Sequence, residues 1–496
     1  GINFASPSAW AVKPKSLTNR NKVSSRPLST VDAGSFRDRD GRIYRHDGRI
    51  IRGVSAGALE DFKKLESTAF YNRFLQDGLL VGSDLLSPED LDLPQEVVQK
   101  WAGFIEHPRI PVISYAYEWT FGMLRDAALL QLDLLEAAIG EGMTLKDATP
   151  YNIQFDAGKP IFIDIASFET LPAGTPWAGY RQFCEMFLFP LMLQAYKGIH
   201  FQPLMRSSID GVGVQTAAKL FGFRDRLRPG VLTHVWLQAK LDSRYGNTQK
   251  NVRSDLKRAG FNKELILANI RKLGKLIRKL SRQGEGSEWG GYEAFHNYSE
   301  SDHRLKENFI DDSVAICKAE TIWDIGCNTG QFSKIAARHA KCVLAMDLDH
   351  FAVERLYRET RDTGMINILP LVQNIADPSP NWGWRNRERV DLKTRIRPDL
   401  VLCLALIHHV VITANVPMEE FVNWLAGVSD QLVIEYVSRS DDKVKALLRN
   451  KEDKYSDYSR DALESNLAKY FHIVSQQEME SGKRTLYLCK RSVSDA

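Results

Sequence analysis

The segment Asp324-Ile325-Gly326-Cys327-Asn328-Thr329-Gly330 follows an apolar run and carries an acid and two glycines, with Asp347 about twenty residues further on. Glycine in such a turn admits positive φ and close approach of a ligand to the backbone. A turn at the carboxyl end of a parallel strand borders the ligand crevice of an open α/β sheet. A carboxylate ending the next strand can accept both hydroxyls of a ribose, so adenosine is the expected ligand moiety. A dinucleotide fingerprint would read Gly-x-Gly-x-x-Gly, so that pyrophosphate can sit on the helix amides. Here the spacing is Gly326-x-x-x-Gly330, Asn328 stands where the middle glycine would, and Asp324 would repel a phosphate. That acid suits a cationic methionine end, whose α-ammonium it would bind directly or through a water. S-adenosylmethionine is the cofactor expected.

Methyl transfer is an in-line displacement at a sulfonium carbon, so the chief task is to hold a nucleophile about 3–3.5 Å from it. A general base is needed only where the acceptor must lose a proton. The run Asp399 to Leu406 leads into Ile407-His408-His409, and Glu435-Tyr436 ends the next strand. His408, His409 and Glu435 are the candidate catalytic groups, with Tyr436 beside them; paired histidines at a strand end also serve simply to cap a loop. None of them identifies the acceptor.

A second constellation lies in the N-terminal half. Asp147 and Asn152 stand five residues apart, and Asp164 follows twelve residues later at the end of an apolar run. The pattern resembles the catalytic loop and metal-binding aspartate of protein-kinase-like and aminoglycoside-kinase-like folds. That resemblance implies that Asp147 orients an acceptor hydroxyl while Asn152 and Asp164 hold Mg²⁺ on ATP phosphates. The sequence lacks a glycine-rich phosphate loop and a clear strand lysine, and no basic residue lies between Ala148 and Tyr151. Arg52, with Glu66 as its helix partner, is the candidate replacement for the lysine. A degenerate kinase-like domain, which binds substrate or regulates, is expected ahead of an active one.

The elements that position these residues fall into two sets. Gly41 to Arg45, the Asp47-Gly48 turn and Arg49 to Arg52 predict a β-hairpin. A helix over about 59–77, an extended run at 110–117, a long helix over 121–139 and short strands around Ile153 and at 161–165 follow. Most of the remainder to about residue 260 reads as helical. Between 261 and 283, Leu265, Ile266, Ile270, Leu273, Leu276, Ile277 and Leu280 recur at helical spacing opposite a row of Lys and Arg. Such a basic amphipathic helix most simply packs one face and solvates the other, although RNA or anionic lipid would also suit it. Glycines 284, 286, 290 and 291 mark a linker. From 321 onward strands and helices alternate, which predicts βαβ units and a mostly parallel sheet. Only residues 475–484 separate the last two strands, too few for a crossover helix, so an antiparallel edge pair is expected.

Residues 321–489 resemble a class I methyltransferase, with Asp324 to Gly330 matching its first motif except at Asn328, and Asp347 matching its ribose-binding acid. The resemblance further implies that Asn374 contacts adenine and Ile375 packs on its ring, Asp377 being a rival for the polar role. The order of Gly34-Ser35-Phe36-Arg37-Asp38, Leu145 to Asn152, Asp164 to Phe168, the Asn328-bearing turn and Arg484-Thr485-Leu486-Tyr487 resembles the NoeA-type nodulation-protein-like methyltransferases over nearly the whole chain. The expected architecture is a flexible tail over 1–34, a kinase-like α+β domain over 35–260, a basic helix and Gly-rich linker over 261–291, and an α/β Rossmann-like seven-stranded methyltransferase domain over 292–496. The expected function is methylation of a hydroxyl or similar nucleophile on a small molecule or saccharide, with a bifunctional kinase-methyltransferase or an RNA-modifying enzyme as alternatives.

Bulk properties set bounds. With 496 residues the chain exceeds what one core usually serves. A net charge of +4 nominates no nucleic-acid partner, and six scattered cysteines suggest neither a zinc site nor a disulfide framework. A reducing cytoplasm is the expected compartment. Its longest apolar stretches fall short of the roughly 18 residues a spanning helix needs, so no transmembrane segment is expected. The Ser-rich N-terminus, with Lys13, Lys15, Arg20, Lys22 and Arg26 before the first acid at Asp32, reads as a disordered tail rather than the remnant of a targeting peptide.

Overall fold

The computed structural model describes residues 30–156, 158–245, 263–281, 299–449, 451–452 and 454–492. The glycines of the expected linker and most of the expected tail lie outside these residues. Strand β1 (Thr30–Val31) pairs with β2 (Gly41–His46), so the described residues begin with a strand inside the segment read as tail.

Five strands form the first sheet, in the order β1-β2-β3-β5-β4, with β2 at Gly41–His46, β3 at Arg49–Val54, β4 at Asp84–Leu85 and β5 at Gly103–His107. The expected hairpin is β2–β3, turned at Asp47 and Gly48, both at positive φ. The expected single helix over 59–77 is two, Ala56–Glu66 and Ala69–Gln76, because Thr68 adopts an extended backbone and its hydroxyl caps the second through the Tyr71 N–H. The apolar run at 110–117 is not a strand. Pro111 interrupts it and Pro108 stands just ahead of it, each without an N–H to give to a ladder, and the missed strand is β5, just before them.

Helix Phe121–Gly140 is buried along most of its length. It leads into β6 (Met143–Leu145), the loop bearing Asp147 and Asn152, and the small hairpin β7–β8 (Ile153–Asp156, Lys159–Phe162), after which β9 (Phe168–Thr170) returns to pair with β6. The basic amphipathic helix is observed as Lys263–Lys279. Its apolar side is buried on helix Phe121–Gly140, Arg271 pairs with Glu136 at 2.7 Å and Arg278 with Asp133 at 3.3 Å. Ile266 also faces the cavity lined by Leu145 and Trp177, and Leu276 lies against Gly230, so the helix is packed into the N-terminal half.

After helix Glu300–Cys317, which the sequence reading missed, come β10 (Thr321–Ile325), β11 (Cys342–Asp347), β12 (Ile368–Val372), β13 (Leu400–Cys403), β14 (Gln431–Val437), β15 (Phe471–Glu478) and β16 (Arg484–Arg491). They form one seven-stranded sheet in the order β12-β11-β10-β13-β14-β16-β15. The first five strands are parallel, while β16 runs antiparallel to both β14 and β15. Strand order reverses between β10 and β13, which opens the crevice at their carboxyl ends.

The two parts share a core. One hydrophobic cluster runs from Val54 through helix Phe121–Gly140 to Trp323, Tyr357 and Leu425. Across the boundary the guanidinium of Arg395 meets Glu118 at 2.5 Å with both side chains almost wholly buried, Arg37 pairs with Glu388, and Tyr357 donates its hydroxyl to Asp126 at 2.8 Å. Among the described residues no helix is long and apolar enough to cross a membrane.

Candidate cofactor and transfer site

Gly326 and Gly330 both adopt the left-handed conformation, at φ 79° and 78°, and so does Asn328 at 51°. Asparagine tolerates that region better than other residues with a Cβ, so the departure from glycine leaves the turn intact. The turn is tied to its neighbours by backbone bonds. The N–H groups of Gly326 and Cys327 donate to the carbonyl of Met346 at 2.8 and 3.0 Å, and Gly330 N–H closes on the carbonyl of Cys327. A Cβ at Gly330 would lie 2.5 Å from Leu356, so side-chain packing as well as φ demands glycine there.

Asp347 ends β11 beside this turn. Its Oδ2 accepts the N–H of Asn328 at 2.8 Å and its Oδ1 the N–H of Asp349 at 2.9 Å. A carboxylate oxygen has room for more than one donor, so both oxygens can still accept ribose hydroxyls. Leu348, the next residue, is 61% exposed. A leucine held open at a strand end offers a face to a flat apolar ring, and the sequence reading passed over it. In the loop after β12, Asn374 is exposed and its Oδ1 accepts the N–H of Ala376, which leaves its amide N–H₂ for a ligand, while Ile375 is half-buried. The rival Asp377 is engaged by Arg206 at 2.7 Å. Glycine turn, acid, open leucine and free amide are a set of donors and surfaces that fit an adenosine.

Asp324 sits differently from expectation. It is buried beneath the turn and accepts the Ser333 hydroxyl at 2.5 Å; burial pushes its pKa up to about 6, against the Ser333 bond. In this state it braces the start of helix Gln331–Ala336 and is not open to a ligand.

The two histidines part company. Beyond β13 the chain turns at Ala405, a non-glycine residue at φ 50°, a conformation that costs about 1–2 kcal/mol and clusters at functional sites. His408 is then wholly buried, neither ring nitrogen has a hydrogen-bond partner, and burial depresses its pKa to about 3. It is a neutral packing group. His409, 4.2 Å from it between ring centroids, is exposed; desolvation lowers its pKa, Lys443 lowers it further and Asp347 opposes. His409 N–H donates to the carbonyl of Leu406 at 2.9 Å, and the Leu406 side chain lies against Gly326 of the turn.

Glu435 is corrected as a base. It is fully buried, with Oε2 2.6 Å from Lys306 and Oε1 3.4 Å from Arg484, and Arg484 continues to Asp441 at 3.0 Å. A carboxylate so paired is structural. Lys306 comes from helix Glu300–Cys317, which explains why the pairing was invisible in the strand sequence.

In the N-terminal half Asp147, Asn152 and Asp164 come together. Asp147 Oδ1 accepts Asn152 Nδ2 at 2.9 Å and the Ser167 hydroxyl at 2.6 Å, and burial, then Asp164, push its pKa up to about 6. Arg52 does not turn to Glu66. Its Nη1 lies 2.7 Å from Asp164 Oδ1, and Glu66 has its pKa raised by burial and then by nearby Asp84.

No family model matches the chain. It is 34% identical over 478 residues to the nodulation protein NoeA of Rhizobium meliloti (strain 1021), covering 96% of this chain and 99% of the relative. Among solved structures, the N-methyltransferase NodS from Bradyrhizobium japonicum WM9 aligns with 39% of this chain and 98% of its own at 13% identity and a TM-score of 0.29. Magnesium protoporphyrin IX methyltransferase from Synechocystis PCC 6803, with bound S-adenosylhomocysteine, aligns with 39% of this chain and 86% of its own at 16% identity and a TM-score of 0.28. The bifunctional kinase-methyltransferase WbdD aligns with 39% and 40%, at 14% identity and a TM-score of 0.28. The chain belongs to the family of the nodulation protein NoeA.

Proposed function

We propose that the chain methylates a hydroxyl or similar nucleophile of a small molecule or saccharide, with His409 as the proton acceptor. The observation that supports this most is the split of the histidine pair: one imidazole is sealed, the other is open beside the cofactor turn, where desolvation lowers its pKa. A neutral imidazole at a transfer site can take a proton from an acceptor hydroxyl. Asp347 holds the ribose, Asn374 and the apolar pair Leu348 and Ile375 hold the base, and the turn Gly326–Gly330 gives close backbone approach. When bound, the cofactor supplies an electrophilic methyl group. Asp324, sealed beneath the turn, supports its shape through the Ser333 hydroxyl.

The N-terminal domain is read as kinase-like and degenerate, shaping access to the acceptor. The supporting observation is the Arg52–Asp164 contact: a guanidinium stands against the carboxylate that a kinase-like site would offer to Mg²⁺. A bifunctional kinase-methyltransferase would require Arg52 to give way to ATP and Mg²⁺. The RNA-modifying alternative loses support from the packing of the basic helix, where Arg271 and Arg278 are paired with acids.

Two measurements test this reading. Calorimetry should show S-adenosylhomocysteine binding that Asp347→Ala abolishes; unchanged affinity would overturn the cofactor site. Incubating metabolite extracts with methyl-labelled cofactor should yield a labelled small molecule or saccharide, and label appearing only on RNA would overturn the acceptor class. A rise in melting temperature with ATP and Mg²⁺, absent in Asp164→Asn, would favour the bifunctional reading.

A further inference from the structure

Two loops hold the adenosine end of the proposed cofactor site, 347–350 after β11 and 374–377 after β12. Each is fastened, at its far end, to the same short helix of the N-terminal domain, Phe201–Ser207. His200, preceding that helix, stacks its ring on His350 with centroids 3.9 Å apart and planes 22° from parallel. Arg206, in its last turn, donates from Nη2 to Asp377 Oδ2 at 2.7 Å and from Nη1 to the Asp377 carbonyl at 3.1 Å. His350 lies three residues beyond Asp347, and Asp377 three beyond Asn374.

The helix is itself fixed. Phe201, Gln202 and Met205 are buried, and Gln202 Nε2 donates to the carbonyl of Trp119, a wholly buried residue just ahead of helix Phe121–Gly140. The two loops leave strands already paired at their base, where Gln373 N–H donates to the Asp347 carbonyl at 2.8 Å, and beyond that point their far ends are both tied to one strut anchored in the other domain's core.

We propose that helix Phe201–Ser207 forms the outer wall of the adenosine pocket, so that the N-terminal domain is part of the cofactor site and not only a gate for the acceptor. This rests on the reading of Asp347 and Asn374 as adenosine ligands. Physically, the strut removes freedom that the two loops would otherwise lose on binding, which raises affinity without a new contact to the ligand. By linkage, a ligand favoured by the docked strut must in turn favour docking.

The test uses the full chain and S-adenosylhomocysteine as probe. Arg206→Ala and His200→Ala should each weaken calorimetric affinity by roughly fivefold or more, with little change in the melting temperature of the free protein, because the Arg206 pair is exposed. Together they should lose less than the product of the single effects, because they fasten one strut. Hydrogen exchange in residues 201–207 should slow when the probe binds. If both variants bind like wild type while Asp347→Ala abolishes binding, the inference fails and the cofactor reading stands. If Asp347→Ala also binds like wild type, the cofactor reading fails and takes the inference with it.

Discussion

The backbone N–H of Asn328 donates to Asp347 Oδ2 at 2.8 Å, which joins the cofactor turn on β10 to the acid that closes β11. The bond exists because Asn328 sits at φ 51°, where its N–H faces the neighbouring strand end. Asn328→Gly keeps that conformation at the loss of one side-chain bond to Thr329 N–H, and should retain S-adenosylhomocysteine binding. Asn328→Val puts a β-branched residue in the left-handed region at a cost of about 1–2 kcal/mol and should weaken binding. Equal affinities in calorimetry would show that the turn does not need this shape.

Replacing the two histidines should have opposite consequences. His409→Ala should lower methyl transfer by roughly 10²–10⁴-fold if the acceptor loses its proton in the transfer step. His408→Leu should leave transfer nearly unchanged and hold or raise thermal stability, since an imidazole with both nitrogens unpartnered gives way to an apolar group. Comparable losses of transfer in both would refute the division of roles.

With the pKa of His409 depressed below its ordinary 6.5, the neutral base is already available near neutrality. The rate should fall on the acid side only and be flat above about pH 7. A rate that keeps rising between about pH 7.5 and 9 would point to another base.

Asp324 gives a pH dependence of stability with a definite sign. Its folded pKa, about 6, lies above the ordinary 3.8, so its favourable contribution is present below about pH 4 and lost as pH rises through 6. Asp324→Asn, which can still accept from Ser333, should gain little over wild type at pH 4 and on the order of 2 kcal/mol at pH 8 without ligand. Denaturant unfolding at the two pH values measures the difference. A gain that is equal at both would mean that folding does not raise the pKa of Asp324.

Among the described residues, Arg395 and Glu118 form the most buried ion pair between the two domains. Glu118→Gln should cost about 3–5 kcal/mol, since it strands the guanidinium, whereas Glu118→Leu with Arg395→Met should recover most of the loss. Urea unfolding of the three proteins checks this. No recovery in the double variant would show that the bond from Arg395 to the Ile113 carbonyl matters more than its charge.

What the sequence disclosed was whatever depends on near neighbours. The alternation after Thr321, the Asp47-Gly48 hairpin, the stripe on helix Lys263–Lys279 and the spacing of Asp147 and Asn152 are local patterns. The errors came where a residue's fate is settled by a distant partner. Glu435 read as a base because nothing near it announces Lys306, which reaches it from a helix whose buried face includes Asp302, Lys306 and Ser313 and so shows no clean apolar stripe. His408 and His409 are adjacent letters, and only the backbone turn at Ala405 decides which one is sealed. Arg206 and His200 had no visible purpose until the loops they meet were in place.

The continuous core has a consequence for how the protein is made. The face of helix Phe121–Gly140 that receives Tyr357 and Glu354, and the Phe155 ring that packs on Tyr357, leave the ribosome some two hundred residues before their partners do. The N-terminal half therefore waits with an apolar surface uncovered, a state in which nascent chains recruit chaperones or stick to one another. Expression of that half alone would make the waiting permanent, so co-expression with the C-terminal half is the condition under which it should stay in solution.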